Sequence, residues 1–145
     1  MKSMNSMSKE ASDRITEAVS AAEYRTSAEI KVIVLSYCWT DIREKAESLF
    51  YKYELHETQD RNAVMILLVL VNHEFLVYGD KGIHEKVEED FWSTVCSAMR
   101  EKFQAGNLVD GLCTGVERVG DQLATYFPRA EDDVNEVTDE VVHED

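Results

Sequence analysis

Nine consecutive apolar residues, Ala63-Val64-Met65-Ile66-Leu67-Leu68-Val69-Leu70-Val71, limit what this chain can fold into more than any other feature. The run is rich in β-branched residues and leucine, and Arg61-Asn62 and Asn72-His73 bracket it with polar groups. It reads as a strand covered on both faces, since a half-exposed strand alternates apolar with polar and this one does not. At nine residues it falls well short of the ~20 that a membrane helix needs. The chain must therefore supply apolar layers above and below one buried strand.

The flanking pattern supplies them. Over residues 8–24, Ile15, Ala18, Val19 and Ala22 recur at helical spacing behind Ser8 or Ser12 as N-caps. Residues 28–36 alternate Ile30, Val32 and Val34 before turning wholly apolar, as suits a second strand near the middle of a sheet. Thr40 or Asp41 caps a helix reaching about Tyr53, with Ile42, Ala46, Leu49, Phe50 and Tyr53 on one stripe. After the long strand, Asn72-His73 makes a tight turn into a strand at 75–78, which Gly79-Asp80-Lys81-Gly82 stops. A helix is expected from about Ile83 to Phe103, with Val87, Phe91, Val95 and Met99 on one face, and another from about Val109 to Tyr126 after a Gly106-Asn107 break. The order α-β-α-β-β-α-α predicts an α/β fold, a three-layer α/β/α sandwich with a small mixed β-sheet and helices on both faces.

Charge decides which partners such a domain can take. The 145 residues hold 29 Asp and Glu against 15 Lys and Arg, a net charge of −14, and no compact basic patch is visible along the chain. Nucleic acid and direct membrane insertion are therefore excluded as expectations. Eight acids and no Lys or Arg follow Arg129, which leaves residues 1–130 at −6. Residues 1–7 are expected to be a disordered start, 8–130 a single domain, and 131–145 an acidic flexible tail whose four valines are too few for a core. The start lacks the apolar stretch of a secretory signal, so a cytoplasmic protein is expected; a monomer is favoured, with the oligomeric state left open. Cys38, Cys96 and Cys113 are odd in number and show no CxxC or Cys/His spacing. They read as small buried hydrophobes rather than as disulfide or zinc partners. Trp39, Trp92, Phe91, Phe103 and Phe127 read as core and interface aromatics.

Topology alone brings chemistry together. A crossover from the strand at 28–36 through the helix at 41–53 to the strand at 62–71 makes those strands parallel and returns the chain to the starting edge. The strand at 74–79 runs back, so Glu29, Asp60 and Asp80 meet at one edge, with Arg61, Asn62, Lys81 and the segment after Gly82. Carboxylates brought together need a proton, a base or a metal between them. Oxygen ligands of this kind select Ca²⁺ or Mg²⁺, whereas Arg61 and Lys81 would make the same edge a salt-bridged rim. No EF-hand pattern, Walker loop, GxGxxG or GxSxG is present. Among the histidines, none at ligand spacing from another, His73 falls in the hairpin turn at the opposite edge and His84 is the candidate beside this one, while His56 precedes the long strand.

Three strings carry a family resemblance: Thr58-Gln59-Asp60-Arg61-Asn62-Ala63-Val64-Met65-Ile66-Leu67, Val77-Tyr78-Gly79-Asp80-Lys81-Gly82-Ile83, and Phe103-Gln104-Ala105-Gly106-Asn107-Leu108-Val109-Asp110-Gly111-Leu112. Together they resemble the TPM domain over about residues 10–128. That family includes thylakoid-lumen acid phosphatase-like proteins of photosystem II repair and bacterial proteins found alongside LemA-type membrane proteins. The resemblance implies an α/β/α sandwich, a divalent-cation site, with calcium in plant relatives, and phosphatase activity. By position, Asp60, Arg61 and Asn62 fall on the first motif, Gly79, Asp80 and Gly82 on the second, and Asp110 and Gly111 on the third. The polar start and acidic tail replace the signal peptide and membrane helix of many relatives, so a lumenal role does not carry over.

Three functional expectations result. In the first, Asp60, Asp80, Glu29 and Asn62 hold Ca²⁺ or Mg²⁺. In the second, that ion activates water on a phosphate ester while Arg61, Lys81 and Gly82 contact the phosphate, with Asp60, Asp80 and Arg61 as the catalytic candidates. In the third, the domain is a non-catalytic module that docks on a basic or membrane-associated protein.

Overall fold

The computed structural model describes residues 7–129 and 138–144. Apart from Met7, which packs against the core, the expected disordered start lies outside the described residues. The side chain of Ser8 accepts a hydrogen bond from the Ala11 amide at 3.1 Å and starts helix α1, Lys9–Glu23. Strand β1, Glu29–Leu35, follows, buried along its whole length. Asp41 then caps helix α2, Ile42–Lys52, accepting from the amides of Arg43 and Glu44. These side-chain acceptors satisfy amide donors that a helix start leaves open.

After a 3-10 turn at Leu55–Glu57, strand β2, Ala63–Val69, is buried at every residue. His73 adopts a left-handed φ of 57° and Asn72 Oδ1 accepts from the Glu74 amide, which closes the tight turn into β3, Glu74–Gly79. Strands β1 and β2 are parallel, with Glu29 opposite Ala63, and β3 is antiparallel to β2, with Val64 opposite Gly79. The crossover through α2 is thus the one expected from the element order.

The sheet has two apolar faces because its strands alternate between two cores. Ile30, Val32, Val34, Val64, Ile66 and Leu68 pack under α1 and the two long C-terminal helices. Ile33, Leu35, Met65, Leu67 and Val69 pack against Ala46, Leu49 and Phe50 of α2. Burying each such side chain stabilises the fold by roughly 1.5–3 kcal/mol. The result is the expected α/β/α sandwich, and no helix among the described residues is long and apolar enough to cross a membrane.

Four expectations require correction. The helix expected from Ile83 to Phe103 is two: α3, Lys81–His84, and α4, Phe91–Gln104. Glu88, Glu89 and Asp90 separate them; adjacent carboxylates repel inside a helix but suit the positive N-terminal end of the next one. Helix α5 spans Leu108–Tyr126, close to its expected limits. The acidic tail also has structure at its described end, where Val142–Glu144 forms strand β4, parallel to β1 with Val142 opposite Ile33. The sheet order is therefore β3-β2-β1-β4.

Donors on the domain surface explain why this acidic segment docks. The Lys31 ammonium donates to the carbonyls of Thr138 and Glu140 at 3.0 and 2.9 Å. Ser20 donates to Asp139 at 2.7 Å, Ser12 meets His143 at 2.7 Å, and Lys52 and Tyr53 both bond Glu144. Finally, Cys113 is buried as expected, but Cys38 and Cys96 are only half-buried. Trp39, expected in the core or an interface, is 89% exposed and stacks edge-on against Tyr37.

Candidate functional site

The edge where β1 and β2 start and β3 ends is built from two interlocked loops. In the first, Thr58 Oγ1 accepts from the Asn62 amide at 3.1 Å, the Arg61 amide donates to the Thr58 carbonyl, and Arg61 takes a left-handed φ of 50°. Thr58 and Asn62 are buried. In the second, the Asp80 amide donates to the Ala63 carbonyl at 3.0 Å and the Gly82 amide to the Arg61 carbonyl at 2.9 Å. A Cβ on Gly82 would lie 2.3 Å from the Asp60 oxygen and 2.6 Å from the Arg61 oxygen. Only glycine permits that approach, which explains physically why the Asp60-Arg61-Asn62 and Asp80-Lys81-Gly82 strings occur together.

These loops aim Arg61 at Asp80. The guanidinium donates through Nε to Oδ2 at 2.5 Å and through Nη2 to Oδ1 at 2.7 Å, a bidentate charge-assisted pair. The same carboxylate caps α3 by accepting from the Lys81 amide at 2.8 Å. Asp80 is 6% exposed, and its hydrogen bonds hold the Arg61 guanidinium above its ordinary pKa.

The three carboxylates expected at this edge stand in different surroundings. Asp60 is exposed. Glu29 is buried at the start of β1, where its charge acts on Glu23 of α1. Asn62 gives its carbonyl to the Glu29 amide, and Asp80 serves Arg61 and Lys81. Among the described residues no group of three or more His, Cys, Asp or Glu side chains could hold a metal ion. Calcium and magnesium take six or more oxygens, several of which can be water, and of these carboxylates Asp80 is already paired with Arg61. The third string is structural: Asp110 pairs with Arg14 of α1 at 2.5 Å, and Gly111 lies against the Phe103 ring, where a Cβ would come within 2.3 Å.

Beside the Arg61–Asp80 pair lies a cleft of about 680 Å³ that follows β3 on both faces. Its cationic and imidazole groups are Arg43, His56, Arg61, Lys81, His84 and Arg100, against the two carboxylates Glu47 and Asp80. On the α2 side, Phe50 packs on Tyr78 with centroids 5.0 Å apart. On the α4 side, Trp92 stacks on His84 at 5.0 Å and its ring covers Gly79. Arg43, Tyr51, Trp92 and Arg100 were not singled out as site residues from the sequence; they belong to α2 and α4 and reach the cleft only through packing against β3.

A second polar cluster underlies β4. Glu23 is 6% exposed and its Oε2 accepts from the Ile30 amide at 2.6 Å. Burial first, then a hydrogen bond with Asp139 and the charges of Glu29 and Asp139, push its pKa far above the carboxylate range, so this group keeps its proton at neutral pH. Burial lowers the pKa of neighbouring Lys31.

Comparison with known proteins agrees with this architecture. A family model described as the TPM domain matches residues 2–122. The NMR structure of the BA42 protein of the psychrophilic bacterium Bizionia argentinensis is 34% identical, with a TM-score of 0.90 over 94% of each chain. The N-terminal domain of a protein from P. gingivalis is 18% identical, with a TM-score of 0.68 over 83% of this chain and 78% of that one. That of the Corynebacterium glutamicum cg2496 protein is 12% identical, with a TM-score of 0.66 over 88% and 80%. The last two show the fold alone. No match is found among curated proteins.

Proposed function

This chain belongs to the TPM domain family, and on that premise we propose that the cleft along β3 binds a ligand through an anionic group of phosphate type. One observation carries the reading: Arg61 is fixed by both oxygens of Asp80 at the end of a cleft whose other charged groups are mostly basic, on a chain with a net charge of −14. A guanidinium has five N–H donors. Two are spent on Asp80, and the rest are held in one plane, the geometry that suits a tetrahedral oxyanion. Lys81, exposed beside it, adds a mobile charge. Binding of the anion is what this donor set supports directly.

Amide shifts on titration with inorganic phosphate and phenyl phosphate test the reading. Residues 60–62 and 79–82 should move together, and Lys81→Gln, an exposed change that leaves Asp80 paired, should weaken binding about tenfold, or ~1.4 kcal/mol. No shift there at tens of millimolar phosphate overturns the proposal. A parallel titration with Ca²⁺ or Mg²⁺ that moves Asp60 and Asp80 in the absence of phosphate would restore the metal expectation in its place.

A further inference from the structure

We infer that the open edge of β3 accepts an acidic polypeptide segment in extended conformation, so that the anion of the proposed function arrives on a strand that joins the sheet. The inference rests on that reading for the charge of the ligand and goes beyond it in naming the ligand class.

Strand register shows that the edge is competent to pair. Among the described residues β3 pairs only with β2. The Asp80 amide bonds the Ala63 carbonyl, and in an antiparallel pair bonded and non-bonded positions alternate. Tyr78, Leu76 and Glu74 therefore turn their amides and carbonyls toward β2, while Gly79, Val77 and Phe75 turn theirs away. Three residues with outward N–H and C=O groups at alternate positions form the template for strand addition, with Val77 and Gly79 buried at the floor of the cleft and Trp92 over the face of Gly79. From Phe75 to Gly79 the edge runs about 13 Å at roughly 3.3 Å per residue, enough for a peptide of five residues.

The walls select what pairs there. Alternate side chains of an added strand would meet opposite faces: Tyr78 and Arg43 on the α2 side, and Trp92 and Arg100, whose guanidinium lies 5.6 Å over the Phe75 ring, on the α4 side. At the Gly79 end the strand would run into Arg61 and Lys81. Glu47 is the one carboxylate lining this cleft that is not engaged with Arg61. An acidic segment therefore gains at both faces and at one end, and a basic segment does not.

Two seven-residue peptides of alternating Glu and Val test the inference on the full chain, one unmodified and one N-methylated at every second amide, with inorganic phosphate in parallel. The unmodified peptide should shift the Phe75, Val77 and Gly79 amides and slow their hydrogen exchange, and the N-methylated one, with charge intact but pairing blocked, should bind at least tenfold more weakly. Equal binding of the two peptides overturns strand addition. Phosphate binding without any peptide response overturns it while leaving the anion reading intact, and peptide binding without phosphate binding does the reverse. Shifts at the same amides on raising protein concentration alone would make the occupant a second copy of this chain and overturn the assignment to an acidic peptide.

Discussion

Replacing Glu23 with Gln should make this protein more stable, and increasingly so as pH rises. Glu23 is buried, accepts from the Ile30 amide and has its pKa raised by burial and by Asp139 and Glu29. A carboxyl whose folded pKa exceeds its unfolded value contributes stability that is complete below the unfolded value and is lost as pH climbs toward the folded one. Unfolding releases the proton throughout that window, so stability falls by up to ~1.4 kcal/mol per pH unit. Between pH 5 and pH 8 the limiting loss is roughly 4 kcal/mol, a large part of the 5–15 kcal/mol typical of a domain. Glutamine reproduces the protonated form: its oxygen accepts from Ile30 and its amide donates toward Asp139, without a proton to lose. Urea denaturation at pH 5, 6.5 and 8 should give nearly equal stabilities for the two proteins at pH 5 and a gap of one to several kcal/mol in favour of Glu23→Gln at pH 8, by the same estimate. Parallel pH profiles would refute the argument, since they would mean that Glu23 ionises in the folded state as it does in the unfolded one.

Gly82→Ala should destabilise by about 1–3 kcal/mol in thermal or urea unfolding, despite the usual helical preference for alanine, because the new Cβ meets the backbone oxygens of Asp60 and Arg61. Gly115→Ala should cost less, since there the obstacle is the flexible Met99 side chain. Lys31→Met keeps the aliphatic stem but strips the donor from the carbonyls of Thr138 and Glu140. A hydrogen bond from a charged donor is worth ~1.5–3 kcal/mol, so exchange of the Ser36 amide, which bonds the Glu144 carbonyl, should quicken about tenfold to a hundredfold. An unchanged rate would show that β4 is held by other contacts.

The central part of the fold could be read from the chain because its signals are local and dense. The apolar run of β2, the Asn72-His73 turn and the Asp41 cap each act within a few residues, and together they fix the parallel and antiparallel pairings. Strand β4 lacked such a signal. It is short, lies in an acidic stretch, and docks on Ser12, Ser20, Lys31 and Lys52, none of which marks itself as a partner when taken alone. Similarly, Val87, Phe91, Val95 and Met99 keep one apolar spacing across the α3–α4 break, so periodicity hid the break. At the site, topology brought Asp60, Arg61, Asn62 and Asp80 to one edge. It did not show that the left-handed turn at Arg61 lays the guanidinium on Asp80, which engages the carboxylate that the expected cation site would use.

The order β3-β2-β1-β4 also makes the sheet a charge separator. Asp139, Glu140 and Glu144 lie along one edge, where Lys31 and Lys52 meet the segment, and Arg61, paired with Asp80, and Lys81 lie by the other. At distances beyond the Debye length, about 10 Å in 0.1 M salt, the surroundings screen these charges. Closer in, an acidic ligand of the kind proposed would meet less repulsion at the β3 edge than at the β4 edge. The edge proposed to pair with such a segment is therefore also the one its charge would leave more approachable.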